Sequence, residues 1–279
     1  SIEIKPKRLV QKLQTLSSIG ETLDGMQRLA FTPADIQARR YLVQLMEQSG
    51  AKIRIDYAGN IIGLFAGSEP NLPVIALGSH TDTVPNGGKF DGALGVLGAI
   101  ECLETLKDNG VVTRHPIEVI NFSDEEGSRF GGWLFGSRAM SGLLDELDMW
   151  REDSSGLKIA DMVNIVGGDF ENIKEARRSS KDFEAYLELH IEQGPILHQV
   201  GTEIGVVDYI TGRITLGVSV IGFANHAGTT PMDSRQDAAL ISSEIIQAVN
   251  DIATREEICR VGTVGKIVIT PNAINVIPG

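Results

Sequence analysis

Residues 77–96 read LGSHTDTVPNGGKFDGALGV, and the fold turns on how this stretch is parsed. The apolar run at 74–77 that enters it is expected to be a buried strand. The run stops at Gly78 and Ser79, and His80 and Asp82 follow, two residues apart. A Pro- and Gly-rich loop leads to Asp91 and Gly92, where an apolar helical pattern begins at once. Imidazole and carboxylate groups at strand ends, carried on Gly-rich loops, are how an α/β protein builds a metal site. His80 could supply one ligand nitrogen. Asp82 is placed to accept the other ring N–H and fix the tautomer. Asp91 could bridge two cations, since a carboxylate offers two oxygens and four lone-pair directions. Alone, such a pair is ordinary turn punctuation; the residues downstream give it weight.

On the N-terminal side, 6–19 reads as a helix with Leu9, Leu13 and Leu16 at helical spacing. Thr32 as N-cap, Pro33 in the first turn and Asp35 near the positive helix end open a second helix, which Gly50 closes. Residues 51–57 and 60–66 are expected to be two short strands around Ala58 and Gly59. On the C-terminal side, 93–106 is helical, with Gly95 and Gly98 implying close helix–sheet packing and Cys102 on its apolar face. The run PIEVINF at 116–122 is the next strand, so strand–helix–strand predicts a right-handed parallel crossover. That strand ends in Ser123-Asp124-Glu125-Glu126. At the C-terminal end of a buried strand, an open α/β sheet places its site. Neighbouring side chains project differently, so one Glu can bind metal while the other faces a substrate water.

Residues 143–180 are charged and irregular. The run EAYLELHIE at 184–192 alternates as a strand, with His190 near its end. A second candidate histidine at a strand end, with acids at two others, favours ligation over a core role. Beyond Thr211 and Gly212 the texture changes. Residues 213–222 alternate as a strand, 225–231 form a polar loop, 237–252 a helix and 261–269 another strand. The expected organisation is a catalytic metal-binding domain over 1–211 and a small α+β domain over 212–279.

Composition narrows the function. The 279 residues are 42% hydrophobic with a formal charge of −12. This argues against nucleic acid or an anionic membrane as partner, since both would need a basic face. No apolar run approaches the ~20 residues of a membrane span, and SIEIKPKRLVQKL contains no signal-like apolar core. Two distant cysteines, Cys102 and Cys259, fit reduced thiols in a cytoplasmic protein.

Taken together, GSHTDTVPNGGKFDG (78–92), FSDEEGSRF (122–130), ELHIEQGP (188–195), NHAGTTPM (225–232) and INVIPG (274–279) resemble the M20-type metallohydrolases. Within these the chain is most similar to the amidase branch: N-carbamoyl-L-amino-acid hydrolases, β-ureidopropionases and allantoate amidohydrolases. The resemblance implies a mixed, mostly parallel α/β sheet with helices on both faces, of the zinc-exopeptidase kind, plus a small lid and dimerisation domain. It also implies two divalent ions, zinc or manganese with cobalt or nickel as alternatives. His80 would bind one ion, Asp91 would bridge, Glu126 would bind the other, and His190 would complete one side. Glu125 is implied as general base, Gln193 as a substrate contact, His226 as an oxyanion donor across a homodimer, and Asn275 as a contact to the substrate carboxylate or ureido group. A cis bond after Asp91 is implied too. Peptidase members commonly carry a carboxylate where His190 stands.

The expected reaction is hydrolysis of an N-carbamoyl-L-amino acid to the amino acid, ammonia and carbon dioxide. Allantoate hydrolysis is second, peptide hydrolysis third, and a non-catalytic metal-binding or assembly subunit is the reading from another class. The family's fifth metal ligand, a His, and its carboxylate-binding Arg lie further along a longer chain, and His115 and His198 do not fit the ligand motif. A protein ending at Gly279 is therefore expected to be inactive, poorly soluble or dependent on a missing piece.

Overall fold

The computed structural model describes residues 2–255 and 259–279. Contacts divide the chain into two compact units, Ser1–Gly205 and Val206–Gly279.

In the first unit, α1 (Pro6–Ser17) starts at a proline and buries Leu13 and Leu16. A two-strand ribbon follows, β1 (Glu21–Thr22) and β2 (Gly25–Met26). Helix α2 (Pro33–Ser49) has the caps read from its sequence. The Thr32 hydroxyl accepts from the Asp35 N–H, and Gly50 is left-handed at φ 99°. Strands β3 (Lys52–Ile55) and β4 (Ile61–Phe65) form the expected hairpin, antiparallel with Ile55 opposite Ile61. Its turn is tied by the Asp56 carboxylate, which accepts from the Ala58 and Asn60 N–H groups.

Strand β5 (Val74–His80), helix α3 (Ala93–Asp108) and strand β6 (Ile117–Phe122) are the predicted crossover, with β5 and β6 parallel. Helices α4 (Phe135–Ser141) and α5 (Ile159–Ile165) precede β7 (Phe183–Leu187), which pairs parallel to β5. The sheet order is β3-β4-β6-β5-β7. Two pairings are parallel and two antiparallel, so the sheet is evenly mixed. The neighbours β5, β6 and β7 share one direction and bring their C-terminal ends to one edge.

Alternation along the strands divides the core. Ile61 and Val119 pack with α1, α2 and α3 on one face; Ile62, Ile120 and Met140 of α4 pack on the other. Cys102, expected in the core, is exposed. Its neighbour Glu101 faces inward instead, because the Arg8 guanidinium forks onto it (2.7 and 2.8 Å). A short helix, α6 (Ile196–Val200), ends this unit's regular structure.

The second unit contains α7 (Ala238–Arg255), close to the predicted helix. The expected strands at 213–222 and 261–269 are not formed. An alternating segment becomes a strand only by hydrogen-bonding a neighbour, and among the described residues neither segment has a ladder. Their apolar side chains stay exposed: Leu216 at 79% and Val268 at 75%. The pairing that does form is a bridge between His226 and Val276.

Candidate metal and catalytic site

The site grows from the ends of β5, β6 and β7. His80 closes β5 and is 2% exposed. Its Nδ1 lies 2.9 Å from the Asp82 backbone carbonyl. That oxygen can only accept, so Nδ1 carries the ring proton and Nε2 presents its lone pair. The Asp82 carboxylate, expected in this role, stands 3.6 Å away. It instead accepts the backbone N–H groups of Glu125 (3.2 Å) and Glu126 (3.1 Å). Asp82 is therefore the anchor of the acidic loop after β6, and a main-chain carbonyl sets the imidazole. Asp124 turns that loop with φ 46°, an uncommon conformation outside glycine, so the two glutamates emerge together. Sequence reasoning passed over Asp124, a buried carboxylate with neither oxygen hydrogen-bonded. The run SDEE was the available signal.

Asp91 enters from the loop before α3. The expected cis bond after it is absent; the described residues have one cis bond, Thr270–Pro271. Gly92 makes the turn at φ 61°, and a Cβ there would lie 2.5 Å from His80 Nε2, so only glycine lets loop and ring approach. His190 comes three residues after β7, which is shorter than the predicted strand because its ladder ends at Leu187. Its Nδ1 is 2.8 Å from the Ile191 carbonyl, again leaving Nε2 free. That nitrogen lies 3.3 Å from Asp91 Oδ1, and His80 Nε2 lies 3.5 Å from Glu125 Oε2. Gln193 donates to Asp91 Oδ2 at 2.7 Å.

Two groups of ligand atoms thus converge, His80–Asp91–His190 and His80–Glu125–Glu126, each with its atoms within 4.8 Å of one another. Two ligands of one tetrahedral ion, each ~2.0–2.1 Å from it, stand about 3.3–3.5 Å apart, as His190 Nε2 and Asp91 Oδ1 do. Asp91 Oδ1 is buried without a hydrogen bond. Both histidines have Nδ1 on a main-chain carbonyl, the arrangement that readies Nε2 for a metal. The donor set fits a divalent cation.

The electrostatics agree. Burial opposes charge on His80, but Asp82, Glu125 and Glu126 outweigh it and raise its pKa. Burial raises Glu125 despite His80. Burial also lifts Glu126 to about 7, with Glu125, Asp91 and Asp82 adding to it against His80. A cation bound among these groups would lower the carboxyl pKa values again and displace protons.

The other candidates lie elsewhere. His226 and Asn275 belong to the second unit and meet there, with His226 Nε2 3.1 Å from the Asn275 side-chain amide. The Gly228 N–H donates to His226 Nδ1 (3.0 Å), and Asn275 Nδ2 faces the other ring nitrogen. His115 is engaged with the Pro73 carbonyl at 2.8 Å, and His198 lies in α6.

A family model described as peptidase family M20/M25/M40 matches residues 76–271. An N-carbamoyl-L-amino acid amidohydrolase of Geobacillus stearothermophilus is 41% identical over 99% of this chain and 67% of its own length. A ureidoglycolate hydrolase of Arabidopsis thaliana is 38% identical over 100% and 60%, and an allantoate deiminase of the same plant is 35% identical over 97% and 56%. The crystal structure of an amidase of the hydantoinase/carbamoylase family from Burkholderia vietnamiensis superposes with a TM-score of 0.85 at 34% identity, covering 100% of this chain and 67% of that one. The chain spans about two thirds of the length of the first of these relatives, and less of the plant enzymes.

Proposed function

Because the chain belongs to peptidase family M20/M25/M40, and within it to the amidase branch, we propose that the whole protein hydrolyses the ureido C–N bond of an N-carbamoyl-L-amino acid. The products are the amino acid, ammonia and carbon dioxide. The observation that carries this reading is His190 Nε2 facing Asp91 Oδ1 beside His80, an imidazole where peptidase members commonly use a carboxylate.

His80, Asp91, Glu126 and His190 would hold two divalent ions, zinc or manganese. Bound there, such ions would acidify water and polarise the scissile carbonyl. Glu125 takes the proton of the attacking water and returns it to the leaving nitrogen; its raised pKa suits both halves of that exchange. Gln193, fixed on Asp91, orients the ureido end. Asn275 contacts the substrate. His226 is the donor to the oxygen on which charge develops. It lies on the second unit, so we assign it to a site shared across the two-fold interface of a homodimer. Among the described residues no helix is long and apolar enough to cross a membrane. The two free, exposed cysteines fit a reducing compartment such as the cytoplasm.

Allantoate carries the same linear ureido chemistry, and the relative named allantoate deiminase makes it the second reading. The test is product analysis on the full-length protein with added Mn²⁺, using N-carbamoyl amino acids, allantoate, ureidoglycolate and dipeptides. Ammonia from an N-carbamoyl amino acid as the preferred substrate supports the reading. Preference for allantoate replaces the substrate, preference for a dipeptide overturns the branch, and bound metal with no turnover overturns the activity.

A further inference from the structure

We propose that Glu188, clasped between Ser79 and Tyr186, is a positioning residue that sets His190 for its cation. The inference rests on the metal-site reading above. The main-chain ladder between β5 and β7 runs from Val74 opposite Phe183 to Leu77 opposite Leu187. Among the described residues Leu187 is the last of β7 paired with β5, yet His190 lies three residues further on. A strand end that is unpaired frays, and a frayed end cannot hold an imidazole to a fraction of an ångström.

Side chains take over where the ladder stops. The Ser79 hydroxyl on β5 donates to Glu188 Oε1 at 2.6 Å, and the Tyr186 hydroxyl donates to Oε2 at 2.8 Å. Both carboxylate oxygens are therefore engaged. The Tyr186 ring packs on Phe122 at the end of β6, with centroids 6.1 Å apart, so the clasp reaches two neighbouring strands. On the helix side, a Cβ on Gly95 would lie 2.6 Å from the Leu189 carbonyl and 2.7 Å from Ser79 Cβ. The backbone just before His190 thus rests in a notch that only glycine leaves open. Downstream, Ile191 O holds His190 Nδ1 and Gln193 holds Asp91. His190 is pinned from both sides, and Glu188 is the upstream pin.

The test is Mn²⁺ affinity by calorimetry on the full-length protein, alongside the metal-free melting temperature. Removing a partner that orients a ligand costs about 10–100-fold in metal affinity. We expect that loss for Glu188→Ala and Ser79→Ala with the melting temperature kept. Glu188→Gln keeps an acceptor for Ser79 and a donor for the Tyr186 oxygen, and is expected within about threefold of wild type. In a His190→Ala background, Glu188→Ala should weaken Mn²⁺ no further, because contacts acting through one group are not additive. Wild-type affinity in Glu188→Ala and Ser79→Ala overturns the clasp. So does a Glu188→Gln loss equal to that of Glu188→Ala, which would make the effect one of charge. An undiminished Glu188→Ala loss in the His190→Ala background overturns it as well. His190→Ala alone binding Mn²⁺ like wild type instead refutes the metal site itself, so the two failures are told apart.

Discussion

Substituting Asp82→Asn separates the two roles available to that side chain. Asp82 is 3% exposed, and its two oxygens accept the Glu125 and Glu126 amides separately. Asparagine has the same shape, but only its carbonyl can accept; its NH₂ faces one of the two amides donor to donor. One hydrogen bond to a charged acceptor is lost and one buried N–H is left unsatisfied, a cost of about 2–4 kcal/mol. Removing the charge also relieves repulsion, since Asp82 raises the pKa of Asp124, Glu125 and Glu126, which offsets about 1 kcal/mol. The net loss is about 1–3 kcal/mol, a melting shift of roughly 2–12 °C. His80 keeps its Nδ1 partner, because that partner is the main-chain carbonyl of residue 82. Urea unfolding and ¹⁵N NMR of the imidazoles in metal-free protein read the two effects independently. Stability should fall while His80 stays protonated on Nδ1. A changed His80 tautomer with unchanged stability would show that the carboxylate sets the ring, and would refute the reasoning.

In the complete enzyme, Glu125→Gln should retain its metal by elemental analysis and lose about 10²–10⁴-fold in kcat; metal lost in parallel would make Glu125 a ligand. Gly92→Ala forces a side chain to φ 61° against His80 Nε2. It should cost about 1–3 kcal/mol together with Mn²⁺ affinity, whereas wild-type affinity would mean that the loop moves freely. Burial raises Asp35 to about 6 and Glu126 to about 7. An acid with a folded pKa above its unfolded one favours the folded state at low pH, and that contribution is lost as pH climbs through the folded value. The metal-free protein should therefore lose stability between about pH 4.5 and 7, with Asp35 contributing up to about 3 kcal/mol. Added Mn²⁺ should restore it near pH 7; a melting temperature that rises steadily with pH across this window, without metal, would contradict the assignment.

What was legible in the sequence was local. The caps of α2, the hairpin and the crossover rest on periodicity and on residues within a few positions of one another. Family-specific spacing carried the ligand-type residues, and the structure brings His80, Asp91, Glu125, Glu126 and His190 together. Asp82 was misassigned because its partners lie some 43 positions away, while the nearer carbonyl does the work expected of its side chain. Cys102 was misread because a salt bridge turned Glu101, not the thiol, towards the protein. The strands at 213–222 and 261–269 failed for a related reason: alternation describes a surface that can pair, and pairing requires a neighbour. Glu188 went unnoticed because nothing in its own stretch points to Ser79, 109 positions earlier.

That last separation fixes an order of events. Closing a loop of this length costs about 4 kcal/mol in chain entropy beyond a constant, and it is closed by β7, a five-residue edge strand. The other four ligand-type residues lie within the first 126 residues, at the end of β5 and in the loops before α3 and after β6. In a chain made from its N-terminus these four are expected to come together before His190 arrives. Mn²⁺ uptake is then expected to accompany the last step of folding, which refolding with and without the ion tests. β7 is one of the two edges of the sheet, so exchange of β7 amides and release of the cation should proceed together, while β4, β5 and β6 remain closed.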